Sequence, residues 1–190
     1  MIPIRDNQPS NCIPVVTYIL MGINLLIFVL QIQIGFNNEV FFYSYGLVPA
    51  KYTVPEMARH FSTGNQFFSI LSYMFLHGGF LHFIGNMWFL YIFGDNVEEH
   101  FGALRFLGFY LLSGIISGLF HFILNPVSMV PTIGASGAIA GVMGAYFLLY
   151  PKSRILTIIP IIIFPWFVEI PAFIFLGIWF FIQFINFSSK

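Results

Sequence analysis

Ionisable side chains are rare in this sequence, and their scarcity constrains the fold more than any other feature. Of 190 residues, only 7 are Lys or Arg and 7 are Asp or Glu, whereas 58% are apolar. An ordinary soluble domain has about a quarter of its residues charged. The sequence therefore excludes a soluble globule and predicts an integral membrane protein.

Apolar stretches of spanning length recur along the chain. Because one helical crossing takes about 20 apolar residues, the length allows roughly five to seven spans and no sizeable soluble domain. Pro160, Pro165 and the charge of Glu169 interrupt the last stretch, so we interpret residues 155–168 as an interfacial or re-entrant segment. The predicted fold is all-α, a single polytopic helical bundle over residues 1–190, with spans at about 13–31, 80–98, 104–124, 135–150 and 171–186.

Glycines predict how some of these spans begin and pack. Gly78 and Gly79 interrupt an apolar segment, so we expect a helix to start near Phe80. Gly114 and Gly118 have the small-xxx-small spacing that lets helices approach closely in lipid. The fourth span is short, about 24 Å as a helix, and its many small residues favour a place at the centre of the bundle.

The remaining segments carry weaker signals. No small-x-small cleavage site follows the first span, so we expect it to be retained rather than removed as a signal peptide. The single Cys12 cannot form an internal disulfide. Residues 35–66 form the longest connection and are rich in Phe and Tyr, which predicts a loop lying partly in the membrane interface. We expect Asp95 to belong with Glu98 and Glu99 to a solvated cytoplasmic edge.

Polar groups inside such an apolar bundle are functional candidates by default. His82 and Asn86 are spaced i and i+4 on the second predicted span, so both project from one helix face. Ser136 lies at the start of the fourth span, where unpaired backbone N–H groups and the positive helix end favour a developing anion. These residues make an oxyanion site plausible. The alternative is structural, since a membrane serine often serves in packing and His82 and Asn86 can hydrogen-bond between helices.

Other chemistries fit the sequence less well. A net charge of zero without a Lys or Arg run argues against nucleic acid as a partner. No His-Glu-x-x-His motif is present, and His77 and His82 at i and i+5 do not share a helix face, so no metal site is expected. Asp95 is a single acidic site, not the pair that an aspartyl protease needs. Haem ligation by two of His77, His82 and His121 has no supporting motif.

Three motifs lie along the chain: HGGFLHFIGN at 77–86, FGDNVE at 93–98 and GASGAIAG at 134–141. Together they resemble the rhomboid intramembrane serine proteases, over about residues 14–183. The resemblance implies a rhomboid-like bundle of six spans with Ser136 as the nucleophile. It also implies that His82, Asn86 and the Ser136 N–H stabilise the oxyanion, and that no cofactor is needed.

The chain departs from this family at Ala140, four residues after Ser136, where some members have an aromatic residue, and more strongly in its histidines. The family's base histidine stands on a sixth span, whereas the histidines here, at positions 60, 77, 82, 100 and 121, all precede Ser136. A base histidine is therefore absent from the chain, and a serine without a base is a poor nucleophile. We expect five of six spans to be present. Truncation of the sequence and an inactive relative both remain open as explanations.

The expected function is that of an intramembrane serine endopeptidase, which cleaves peptide bonds in or near transmembrane segments of membrane proteins and is inactive as this chain. One alternative is a non-catalytic rhomboid-like protein that binds client transmembrane helices, and another is a small transporter or channel. The expected partners are transmembrane protein substrates and the lipid bilayer. The expected location is a bacterial cytoplasmic membrane.

Overall fold

Helices dominate the computed structural model of the chain, which describes residues 1–161 and 164–188, with side chains for 1–160 and 164–182. A 3₁₀ turn, Tyr73–Phe75, lies between two of the helices. The helices are α1 (Val15–Ile34), α2 (Glu39–Tyr45), α3 (Ala50–Thr53), α4 (Pro55–Ala58), α5 (Thr63–Ser72), α6 (Phe80–Phe101), α7 (Ala103–Leu124), α8 (Ser136–Leu149) and α9 (Ala172–Ser188).

A helix occupies each of the five predicted span positions. In the described part of the chain, α1 and α7 are by themselves long and apolar enough to cross a membrane. The segment Thr63–Phe75 and α6 pass the same test together, but they are bent by 77° at the break that Gly78 and Gly79 predicted. Since α8 and the apolar part of α9 are shorter, five crossings remain a prediction.

The all-α prediction holds only in part, because three strands form an antiparallel sheet in the order β1-β2-β3. They are β1 (Ile2–Asp6), β2 (Arg154–Ile161) and β3 (Phe164–Pro171). Apart from residues 162 and 163, which lie outside the described residues, the segment interpreted as interfacial is thus a hairpin. Its β-branched residues suit a strand, and Pro160 and Pro165 pair with each other across the hairpin.

Helices α7 and α8 pack closely, although not through the glycines that the spacing suggested. On α8, a Cβ at Gly137 would collide with Ser117 and a Cβ at Gly141 with Ser113, so serines of α7 fill the space that these glycines leave. Gly114 of α7 instead faces Met74. The small face of α8 therefore has a partner along this side.

The long connection folds into α2–α5 and holds the segment that precedes α8. Leu47 and Thr132 exchange backbone hydrogen bonds of 3.1 and 2.8 Å. Lys51 is fully buried, its Nζ donates to the carbonyls of Ser44 and Gly46, and it lies 4.4 Å from the ring centroid of Phe61. Burial lowers the pKa of Lys51 to about 8. The connection is therefore packed and not merely an interfacial loop.

Glu98 is a buried cap rather than part of a solvated edge. Its carboxylate is 5% exposed and accepts hydrogen bonds of 2.8 Å from Val16 N, Thr17 N and Thr17 Oγ1. A carboxylate in this position satisfies free N–H groups of α1 and opposes the positive end of its dipole. Thr17 also lies against Gly94, where a Cβ would come within 3.0 Å. The expectation for Glu98 was wrong because the sequence does not reveal that α1 starts beside it.

Candidate active site

Ser136 is the first residue of α8 and its side chain is exposed. Ala135, which precedes the helix, is fully buried and makes no side-chain cap. The first N–H groups of α8 therefore have no capping side chain and stay available to an anion near Ser136. This local arrangement is the one that the sequence predicted.

The turn before Ser136 requires glycine. Gly134 has a φ of 120°, a conformation that L side chains rarely adopt. Its N–H donates to Tyr73 O at 2.9 Å, and Tyr73 in turn anchors its hydroxyl on Gly114 O at 2.7 Å. The 3₁₀ turn thus fixes the backbone two residues before the serine to the α7 side of the bundle.

His82 and Asn86 approach this same turn from α6. A Cβ on Gly134 would lie 2.7 Å from His82 Cε1 and Nε2 and 3.7 Å from Asn86 Nδ2. The structure therefore brings the two α6 side chains and the turn before Ser136 together. Their roles in catalysis remain predictions.

Asn86 and His82 differ in exposure. His82 is exposed, whereas Asn86 is 8% exposed, and its Nδ2 has no hydrogen-bond partner within the part of the chain that the structure describes. A buried amide donor without an acceptor costs about 1–3 kcal/mol. An unpaired buried donor needs an explanation, and a donor that serves another molecule is one.

Two residues near His82 were not assigned a site role from the sequence. His77 is fully buried, and its ring lies edge-on to that of His82 with 5.3 Å between centroids. Gln31 of α1 makes two hydrogen bonds to the His77 backbone. A polar residue in the last turn of an apolar helix, such as Gln31, indicates that a polar partner exists. The sequence alone does not identify that partner.

A metal centre finds no support in the structure. Over the described residues, no group of three or more His, Cys, Asp or Glu side chains is placed to hold a metal ion. The arrangement of exposed serine, helix N-terminus and two convergent donors is instead suited to attack on a carbonyl carbon and to stabilising negative charge on its oxygen.

Comparison with known proteins decides the family. The Rhomboid domain family matches residues 64–188, which include Ser136 and both α6 side chains. The chain belongs to the rhomboid family. The family membership expected from the three motifs is thus confirmed, and the rhomboid match extends through the hairpin and α9.

Individual rhomboid relatives come from bacteria and mitochondria. Rhomboid protease GluP of Bacillus subtilis is 33% identical over 146 residues, covering 76% of this chain and 26% of that protein. Rhomboid protein 1 of Saccharomyces cerevisiae, mitochondrial, is 30% identical over 80% of this chain and 40% of its own length. Rhomboid protease GlpG of Haemophilus influenzae is 26% identical over 70% of this chain and 62% of its own length. The chain thus spans between about a quarter and three fifths of these relatives.

Proposed function

We propose that this rhomboid chain forms the nucleophile and oxyanion site of an intramembrane serine endopeptidase, which cleaves peptide bonds in or near transmembrane segments of other membrane proteins. Ser136 Oγ attacks the carbonyl carbon. His82, Asn86 and the Ser136 N–H donate to the oxygen as it becomes negative. The observation that carries the proposal is the convergence of His82 and Asn86 on Gly134 at the start of α8.

The unpaired donor on Asn86 supports this assignment. A preformed donor that is already shielded from water needs no reorganisation when charge develops, and each such donor is typically worth about 3 kcal/mol in the barrier. The glycine turn supports it too, because it lets the side chains of α6 approach the backbone just before the serine. The proposed location is a bacterial cytoplasmic membrane, where five spans would place the ends of this segment on opposite sides.

A proton acceptor for Ser136 completes the proposed mechanism. His82 is poorly suited to this task, since its Nε2 faces Gly134 and a donor to the oxyanion must face a different atom from a base. The five histidines of the 190 residues all precede Ser136. We therefore propose that a histidine on a further span supplies the base.

The test uses the protein expressed from the full native gene, reconstituted with a model transmembrane substrate. We expect Ser136→Ala to reduce cleavage by a factor of about 10⁴ or more, with the melting temperature unchanged, because the nucleophile is lost. Ser128→Ala, in the loop that precedes the site, serves as a matched control and should cleave normally. Undiminished cleavage by the Ser136→Ala protein would overturn the serine mechanism.

The second candidate is a non-catalytic rhomboid-like protein that binds client transmembrane helices. This candidate predicts that the 190-residue chain captures a transmembrane peptide equally well with and without Ser136→Ala. It also predicts that a fluorophosphonate probe labels both forms at the same rate. A native stop codon directly after that of Lys190 would favour this candidate over the protease.

A further inference from the structure

The segment that leads into α6 is held by a side chain from α1. Gln31, in the last turn of α1, is 1% exposed. Its Nε2 donates to His77 O at 2.9 Å, and its Oε1 accepts from His77 N–H at 3.0 Å. The amide thus pairs with the N–H and the C=O of one residue at once. Because both of its ends are engaged in a buried setting, it holds that residue in a single orientation.

Gly78, the residue after His77, links this segment to His82. Its N–H donates to His82 Nδ1 at 3.4 Å. A ring nitrogen that accepts a hydrogen bond carries no proton, so the neutral imidazole holds its proton on Nε2. The Nε2 atom is one of the two His82 atoms nearest to Gly134.

We propose that Gln31 is a positioning residue for the oxyanion site. By clamping the backbone of His77, it holds the Gly78 N–H against His82 Nδ1 and so keeps the His82 Nε2–H directed at the turn before Ser136. This inference rests on the proposed function for the role of His82, whereas the orientation of the imidazole can be measured without any cleavage.

Apolar contacts fix the position of this segment independently of the clamp. Phe28 of α1 stacks on Phe83 of α6 with ring centroids 4.3 Å apart, and Phe80 packs against Phe28 at 5.3 Å. These contacts dock the start of α6 on α1 whether or not Gln31 is present. We therefore expect loss of the clamp to change the orientation of His82 more than the fold.

The first measurement is the ¹⁵N NMR spectrum of histidine-labelled 190-residue protein in micelles, with His82 assigned from a His82→Gln variant. We expect wild-type His82 to be a single neutral tautomer protonated on Nε2. Gln31→Leu should give both tautomers. Asn24→Leu is the matched control, since Asn24 is a fully buried amide of the same helix but bonds to Leu20 O; its His82 spectrum should match the wild type.

Three results bear on the clamp. An unchanged His82 tautomer in folded Gln31→Leu protein overturns the proposal, and so does an equal change in Asn24→Leu. If Gln31→Leu does not fold, Gln31→Glu retains the acceptor for the His77 N–H and loses the donor. In that variant a mixture between the wild-type and random tautomer ratios supports the clamp, and a wild-type ratio contradicts it.

The second measurement uses cleavage by the protein expressed from the full native gene. We expect Gln31→Leu to lower kcat about tenfold with KM within about twofold, because a displaced donor weakens binding of the transition state and not of the substrate. A rise in KM at unchanged kcat contradicts the positioning role. If no Ser136-dependent cleavage exists at all, the proposed function fails, while the tautomer measurement still decides the clamp.

Discussion

Two asparagines of α6 are buried at opposite ends of the helix, and their side chains are in different situations. Asn86, near Ser136, is 8% exposed, and its Nδ2 has no partner in the described part of the chain. Asn96, near the sheet, is 1% exposed, and its Nδ2 bonds to Asp6 at 3.1 Å and Asp95 at 2.9 Å. The Asn86 amide donor thus has no partner within the described structure, whereas the Asn96 amide donates to two carboxyl groups.

The same contrast extends to the groups around each asparagine. At the sheet end, Tyr150 donates its hydroxyl to Asn96 O, and the Glu98 carboxylate is fully engaged at the start of α1. At the serine end, the Asn86 amide nitrogen has no partner among the described residues, and the buried ring of His77 packs edge-on against His82 and Phe83. Since unpaired buried polar groups cost free energy, we expect the sheet end to serve stability and the serine end to serve binding.

The sharpest test of this comparison replaces each asparagine by alanine. In the protein from the full native gene, Asn86→Ala should lower kcat for cleavage about 100-fold to 1,000-fold, because one of three oxyanion donors is lost. Its stability should be unchanged or slightly higher, since an unpaired amide is removed. Cleavage kinetics and unfolding in mixed micelles of increasing SDS content measure the two effects.

Asn96→Ala is the matched variant, with the opposite expectation. The free energy of unfolding should fall by about 1–2 kcal/mol, because two carboxylates lose a buried donor. Its kcat per folded molecule should equal that of the wild type. Equal losses of stability in the two variants, or a kcat effect in Asn96→Ala, would contradict the division of α6 into a binding end and a stabilising end.

Glu98, which caps α1, provides a second test of stability at the sheet end. Glu98→Gln should lower the free energy of unfolding by about 2 kcal/mol, because the charge opposing the α1 dipole and one acceptor are lost. Glu99→Gln is the control; its carboxylate accepts only longer bonds, of 3.2 and 3.3 Å, from Asn11 N, so we expect a change below about 0.5 kcal/mol. A loss of equal size in both variants would mean that general charge, and not capping, supports α1.

Local patterns of the sequence predicted the helices well. The break at Gly78 and Gly79, the start of α6 at Phe80 and the start of α8 at Ser136 follow from residue types that act within a few positions. His82 and Asn86 were placed on one helix face by their spacing alone, and the structure brings both to Gly134. These features were predictable because helix periodicity and helix termini depend on neighbouring residues.

The features that were missed depend on contacts between distant residues. Pairing of Ile2 with Ile158 joins segments at the two ends of the chain, and no local pattern indicates such a partner. Burial of Glu98 and the bonds from Gln31 to His77 are of the same kind. A polar residue in an apolar helix indicates that a partner exists, but the partner becomes known only when the helices are packed.

The smallest predicted effect concerns how stability at the sheet end depends on pH. Tyr146 contacts both Asp6 and, at 2.6 Å, Ser153 Oγ, and Ser153 donates to Asn7 Oδ1 at 2.9 Å. Tyr146 is the donor to Asp6, whose carboxyl group accepts this bond. Burial raises the pKa of Asp6 from 3.8 to about 6, with a further increase from the nearby charge of Asp95.

Because the pKa of Asp6 is higher in the folded protein than in the unfolded chain, its contribution to stability is complete below about pH 4 and is lost as the pH rises through 6. Asp6→Asn keeps a neutral acceptor at every pH. We therefore expect the wild type to lose about 1 kcal/mol more than Asp6→Asn between pH 5 and pH 8, after allowance for the partial exposure of the carboxyl. Glu169→Gln, an exposed carboxylate of the same sheet that lies 4.0 Å from Arg154, should follow the wild-type profile. Parallel profiles for the wild type and Asp6→Asn would show that folding does not raise the pKa of Asp6.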